Sequence, residues 1–256
     1  MGFAQSKKVT DAASLQKLKI LISGGSGSGK STTVAKFPNV FVLPTELQGI
    51  PAMQAANPNA TIFHNEAGEP GVRSVADIAE FMGMLSDPRL LEFDAIALDG
   101  LTDLQNILVD HYGQRFPDKK DSLKKWGAVR EKTEAILRKL RDLPLHVIVT
   151  TLDTEVDDEG TILHRPNVYG KSSGFPTALP KYFNLVGYAF KKRSTEGMLH
   201  SMMFSGPDRF VTKKLPCLDD IEPAEPQVWL AKFSGTEVDA DVQERADHWA
   251  KLNAED

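Results

Sequence analysis

The chain has 256 residues, 41% of them hydrophobic and 25% charged, with a formal net charge of −5 and an isoelectric point near 5.7. That length admits one substantial core, and the acidic balance excludes a uniformly basic nucleic-acid coat while leaving room for a local basic strip. The single cysteine, Cys217, excludes an internal disulfide and fits a reducing compartment.

Residues 1–17 are polar and mixed, without the apolar stretch of a targeting segment. No run reaches the roughly 18–20 apolar residues that span a bilayer, so a cytoplasmic protein with no membrane partner is expected. Residues 17–23 form a short β-type apolar run that stops in the glycine cluster Gly24 to Gly29. A short helix is predicted over 30–36, halted by Pro38, and a second apolar run over 40–43, stopped by Pro44. Such short, solid runs suit parallel strands buried on both faces.

Residues 48–72 are rich in Pro, Gly, Asn and Ala and read as a connection, with a minor strand at 61–63. Ser74 and Asp77 have the spacing of a capping box and open a helix that Asp87-Pro88 ends. A third buried strand covers 93–98, closed by Asp99-Gly100. Helical periodicity follows over 101–116 and 122–143, where Trp126 and the leucines read as core residues. A fourth apolar run covers 145–150. This alternation predicts an α/β fold with a mostly parallel, doubly wound sheet.

Beyond Thr151 the pattern changes. Asp157-Asp158-Glu159-Gly160 reads as a turn between two short strands. Residues 165–181 read as a loop, and runs at 185–190, 198–204 and 209–212 as antiparallel strands extending the same sheet. The Pro-rich stretch 216–226 is expected to be extended, with a last helix over 239–252. The domain reading is an N-terminal segment (1–17), a core (18–215), and a C-terminal extended segment with its helix (216–256).

Gly24-Gly25-Ser26-Gly27-Ser28-Gly29-Lys30-Ser31 matches G-x-x-x-x-G-K-[ST] in full, between a buried strand and a helix. Glycines let the backbone wrap phosphates with its N–H groups pointing inward, and the helix start adds partial positive charge. Lys30 then places its ammonium on the β and γ phosphates, Ser31 can ligate Mg²⁺, and Thr32 can touch the α phosphate. A nucleoside triphosphate, ATP, with magnesium is the expected ligand, and hydrolysis the expected reaction.

Asp99 ends the apolar run 95–98, which delivers a carboxylate to the sheet edge where ligands of open α/β sheets bind. It can hold Mg²⁺ as a Walker-B residue does; the alternative is a helix N-cap. Asp103 is the weaker competitor for this role. Glu46, three residues past the second strand, can reach the same edge and is the candidate general base; the alternative is a solvated loop carboxylate. Thr150 and Thr151 end the fourth strand, where either hydroxyl could sense a γ-phosphate, and Thr151 is taken as the candidate.

On these residues the chain resembles the RecA-like P-loop ATPases, and more narrowly the core-only phage recombinases of the single-strand annealing group among phage AAA-type nucleotide-binding proteins. The likeness rests on the loop 24–31, the strand at 40–43 with Thr45-Glu46 behind it, and the run from Leu98 to Leu104. It also takes in Trp126, the run 179–183 and the late basic stretch 210–214. It implies a RecA-like core over 18–215 that binds ATP at the interface of a homo-oligomeric ring or filament. The partner it implies is single-stranded DNA, in recombination or annealing, for a phage-encoded protein of a bacterial host. It gives Glu46 the place of the catalytic glutamate, and implies that Lys213 reaches the γ-phosphate of a neighbouring subunit. The family pattern has a further basic residue two positions on, where this chain has Leu215.

A DNA-handling reading needs phosphate-binding charge and stacking surfaces. Arg165, Tyr169, Lys171 and Phe175 offer these in one Gly- and Ser-rich stretch, and Lys191-Lys192-Arg193 forms a second basic cluster; either could equally be a solvated turn. Two other readings of the phosphate loop stay open. One is a small-molecule kinase, which would need an arginine-rich lid that the scattered arginines do not suggest. The other is a nucleotide-gated loader or packaging accessory that binds without turnover.

Overall fold

The computed structural model describes residues 17–170 and 175–254, so all but Lys17 of the expected N-terminal segment lies outside the described residues. In chain order the main elements are β1 (Lys19–Gly24), α1 (Lys30–Ala35), β2 (Val40–Pro44), α2 (Ile50–Ala56), β3 (Thr61–Ile62), α3 (Val75–Met84), β4 (Ala95–Asp99), α4 (Leu101–Arg115) and α5 (Ser122–Asp142). There follow β5 (His146–Asp158), β6 (Thr161–Pro166), α6 (Phe175–Ala178), β7 (Leu185–Ser194), β8 (Gly197–Met203), β9 (Ile221–Pro223), α7 (Pro226–Ser234) and α8 (Ala240–Ala254).

One sheet runs in the order β3-β2-β4-β5-β1-β7-β8-β9, with β6 paired to the outer part of β5. The strands from β3 to β7 along this order are parallel, and β8 and β9 add antiparallel. The expected α/β architecture, a mostly parallel sheet extended by antiparallel strands, is present. Side chains alternate faces along a strand, and here they divide between two cores. Leu21, Leu43, Ile96, Leu98, Val147 and Val149 pack under α3, α4 and α5. Ile20, Ile22, Val42, Ala97 and Ile148 pack under α1, α2, α7 and α8. Both faces being covered explains the solid apolar runs. No helix among the described residues is long and apolar enough to cross a membrane.

Several elements depart from the sequence expectation. Helix α2 lies within the presumed connection, started by Pro51 in its first turn. Strand β5 does not stop at Thr150 but runs to Asp158, with no Gly or Pro in between to break it. Its partner β6 takes in Arg165 and Pro166, expected in a loop. Strand β7 is parallel to β1 and only β8 turns back. Residues 209–212 form no strand, and the chain there makes only the isolated bridges His164–Phe210 and Val186–Lys213. Trp126 is 38% exposed and Leu123 86%. The first turn of α5 overhangs the core, and burial along this helix begins at Val129.

The expected extended stretch gives way to a second missed helix, α7, which Pro226 opens and Gly235 closes in a left-handed conformation, φ 70°. Its Trp229 is fully buried, edge-on to Phe37 and Phe204, and donates its indole N–H to the Pro223 carbonyl. Truncation there leaves a large cavity between Phe37 and Phe204, so Trp229→Ala is expected to lower unfolding free energy by about 3–5 kcal/mol in a denaturant titration. A loss below about 1 kcal/mol would show that this tail packs independently of the sheet.

Candidate nucleotide site

The site is built where β1 and β4 end on either side of β5, which runs on past them. Past Gly24 the chain turns through residues 25–29 before α1 begins at Lys30. Gly27 and Gly29 take φ values of 70° and 95°, which side-chain-bearing residues rarely adopt. The Lys30 ammonium is folded into this loop and donates to the carbonyls of Gly24 and Gly25, both at 2.8 Å. Burial pulls its pKa down, opposed by the carboxylates of Asp99, Glu46 and Asp153. A cation folded into a glycine-rich loop is the kind of arrangement that can take a polyphosphate.

Asp99 is buried at the end of β4. The Thr150 hydroxyl donates to its Oδ1 at 2.5 Å, while its Oδ2 has no hydrogen-bond partner. Burial raises its pKa, and the hydroxyls of Thr150 and Ser31 and the charge of Lys30 oppose that rise. The Ser31 hydroxyl therefore borders the carboxylate without satisfying Oδ2. Gly49 stands over the same spot: a Cβ there would lie 2.9 Å from Ser31 Oγ and 3.5 Å from Asp99 Oδ2. An orphaned carboxylate oxygen, a neighbouring hydroxyl and a gap that only glycine leaves open fit Mg²⁺, which takes one or two protein oxygens and fills its other positions with water and phosphate. Backbone bonds hold Asp99 in place, its carbonyl accepting from Thr45 N–H at 2.6 Å and the Gly100 N–H donating to Thr45 Oγ1 at 2.8 Å.

Glu46 follows β2 and is partly buried. Burial raises its pKa, the charges of Asp103 and Asp99 add to the rise, and Lys30 opposes it. Thr151 is buried with its hydroxyl unpartnered, beside Ser23 on β1. Thr150, by contrast, is spent on Asp99. Thr32 and Ser26 flank the loop on its exposed side, and the buried Ser28 hydroxyl is unpartnered too. Unpaired buried polar groups are costly, and among the described residues four of the five side chains that hold one (Ser28, Asp99, Thr151 and Asp153) lie along this edge.

Asp153 was not singled out from the sequence. It is 9% exposed, accepts from His164 Nδ1 at 2.7 Å and from the Tyr188 hydroxyl at 3.2 Å, and keeps Oδ1 unpartnered. Burial and the Asp153 charge push Tyr188 up to about 12, so its phenol stays a donor. The available signal was an aspartate inside a strand, where Asp is depleted. It was obscured because β5 was expected to end before it.

The remaining predicted residues divide. Lys213 is exposed, with Nζ donating to the Phe183 carbonyl at 2.9 Å, at the start of β7 and so at the end of the sheet away from its own phosphate loop. Arg165 lies on β6, opposite Thr154. Tyr169 is 41% exposed and Phe175 only 1%. Phe175 belongs to the core under α5 and cannot stack on a base, a correction that follows from its place at the start of α6. Lys171 lies outside the described residues.

The chain matches the family model of an AAA domain over residues 16–214. No curated protein matches it. Among solved structures, a KaiC-like protein from the hyperthermophilic archaeon Pyrococcus horikoshii is 15% identical, with 73% of this chain and 78% of that one covered at a TM-score of 0.42. The flagellar accessory protein FlaH from Methanocaldococcus jannaschii is 10% identical, with 78% and 84% covered at a TM-score of 0.37.

The raised pKa of Asp99 has a sign that can be measured. Its charged form is disfavoured in the fold, so the penalty is complete above the raised folded pKa and vanishes as pH falls below the unfolded value. Without nucleotide or Mg²⁺, Asp99→Asn is expected to melt higher at neutral pH by roughly 2–4 °C, corresponding to about 1 kcal/mol. The advantage should shrink in acid. A variant that melts lower at neutral pH would show that the carboxylate is satisfied in the free protein.

Proposed function

The chain belongs to the AAA-domain family, and on that premise we propose that it binds ATP with Mg²⁺ and hydrolyses it, as a ring or filament of identical copies working on single-stranded DNA. The observation that carries the reading is the unpartnered Asp99 Oδ2 beside the Ser31 hydroxyl, at the mouth of a loop that already encloses the Lys30 ammonium.

In this reading the Lys30 ammonium leaves the Gly24 and Gly25 carbonyls for the β and γ phosphates, and the loop amides hold the rest of the chain of phosphates. Ser31 and Asp99 would hold Mg²⁺, which supplies charge neutralisation for phosphoryl transfer. Glu46 orients the attacking water and takes its proton; Thr151 faces the γ-phosphate. A base works only when deprotonated, so the raised pKa of Glu46 moves the acid limb of turnover upward from that of an ordinary glutamate. Lys213, directed away from its own loop, would act on the site of a neighbouring copy. The resemblance to phage annealing recombinases supplies the role in recombination.

Single-stranded DNA is supported by an exposed aromatic pair. Trp126 and Tyr169 meet with ring centroids 5.3 Å apart, and the Lys125 ammonium lies 4.4 Å from the Trp126 ring. Bases stack on exposed rings while lysines take phosphates. Trp126 thus replaces Phe175 as the stacking partner of Tyr169, with Arg165 on the neighbouring β6.

The test is ATP turnover with and without single-stranded DNA. Mg²⁺-dependent turnover stimulated by DNA is expected, lost in Lys30→Ala, and lost in Glu46→Gln with nucleotide binding retained. Trp126→Ala should weaken salt-sensitive DNA binding about tenfold, within the usual value of one stacked base. Nucleotide binding without turnover, even with DNA and Mg²⁺ present, would contradict the reading.

A further inference from the structure

We propose that Lys191 grips the α- and β-phosphates of the bound nucleotide from the flank of the loop opposite the Mg²⁺ site, setting affinity rather than the rate of cleavage. The inference rests on the nucleotide-binding reading above and adds a residue to it.

Strand β7 lies on one side of β1, and β5 and β4 lie on the other. Ser23 is level with Tyr188, so β1 ends one residue later, at Gly24, while β7 continues to Ser194. The overrun follows the phosphate loop. A Cβ at Gly24 would strike the Ala189 carbonyl at 2.5 Å, one at Gly27 would lie 3.6 Å from Lys191 Nζ, and one at Gly29 would lie 2.7 Å from His200 Nδ1. His200 is the residue opposite Lys191 on β8, and its ring nitrogen is 3.0 Å from the Ser28 carbonyl. Three glycines of the loop therefore border the β7–β8 hairpin. Within the hairpin Lys191 is on the same face as Ala189, which is 2% exposed against the loop. The pleat thus directs a lysine along the loop's outer flank.

Lys191 is exposed, and its ammonium makes no hydrogen bond or ion pair among the described residues. Of the carboxylates that act on Lys30, Asp99 and Glu46 are on the β4 and β2 side, and Asp153 is hydrogen-bonded to Tyr188, three residues from Lys191 and so on the opposite face of β7. An ammonium on a flexible stem beside the Gly27 backbone reaches phosphates seated in the loop. It comes to the loop from the β7 side, whereas Asp99 and Thr151 lie on β4 and β5, on the other side of β1. A contact made equally to substrate, transition state and diphosphate product changes binding and leaves the chemical step alone.

Fluorescent ADP and ATP analogues, titrated into the 256-residue chain with Mg²⁺ at low and high salt, test this. Lys191→Met should weaken both nucleotides by about tenfold and by the same factor. The difference from the unaltered chain should narrow at high salt. KM for ATP should rise in parallel while kcat holds, and Lys191→Arg should recover most of the affinity. Thermal unfolding of the free variant should match the unaltered chain, since no protein contact is lost. Unchanged affinity for both nucleotides, a loss confined to ATP, or a fall in kcat at unchanged KM would each overturn the proposal while the nucleotide-binding reading stood. Failure of the unaltered chain to bind either nucleotide would overturn that reading, and this one with it.

Discussion

A buried lysine and a buried aspartate share one small space at the end of the sheet, and one aspartate oxygen there is left with nothing to bind. Removing charge from water costs several kcal/mol per ion unless it is paired and hydrogen-bonded. Lys30 meets that cost with two backbone carbonyls; Asp99 meets only half of it, through Thr150. A fold that tolerates this in the free state holds the space for ligands that complete it. The surrounding parts follow: Thr45 fixes the Asp99-Gly100 backbone, Gly49 leaves the gap open, and Gly24 lets β7 approach.

The sheet makes such a site possible by being rigid where the loop is not regular. Strand β5 is inserted between the strand that carries the loop and the strand that carries Asp99. That order brings two hydroxyls and a carboxylate of β5 to the edge that holds Lys30 and Asp99: Thr150 on Asp99, Thr151 unpartnered, and Asp153 backed by His164 and Tyr188. Both faces of β1, β4 and β5 are packed by apolar side chains that reach full burial. The ends of these strands are therefore positioned by two cores at once, which suits a site whose groups must be preorganised.

The parts legible in the sequence were those encoded locally. The phosphate loop is a contiguous pattern, and Asp99 follows an apolar run that could only be a buried strand. The capping box at Ser74 is likewise contained in four residues, and it forms as read, with the Ser74 and Asp77 side chains bonded reciprocally. What was not legible depends on register between distant segments. Asp153 and Lys191 have only weak local signatures, an aspartate inside a strand and one member of a basic run. Each acquires its meaning from lying just past the end of β1, and that is set by parallel pairing across more than a hundred residues. Phe175 and Trp126 exchanged places for a similar reason. Periodicity marks a helix as amphipathic but does not say that its first turn overhangs the core, nor that an aromatic next to a Gly-rich stretch starts a short helix and is itself buried.

The most direct measurement is a calorimetric titration of ATP into the protein with and without Mg²⁺, for the unaltered chain and for Asp99→Ala. The account predicts that Mg²⁺ tightens ATP binding to the unaltered chain, and that Asp99→Ala retains the Mg²⁺-free affinity while losing the gain from the metal. ATP binding that is absent with Mg²⁺ present, or is equally tight with and without it, would contradict the account.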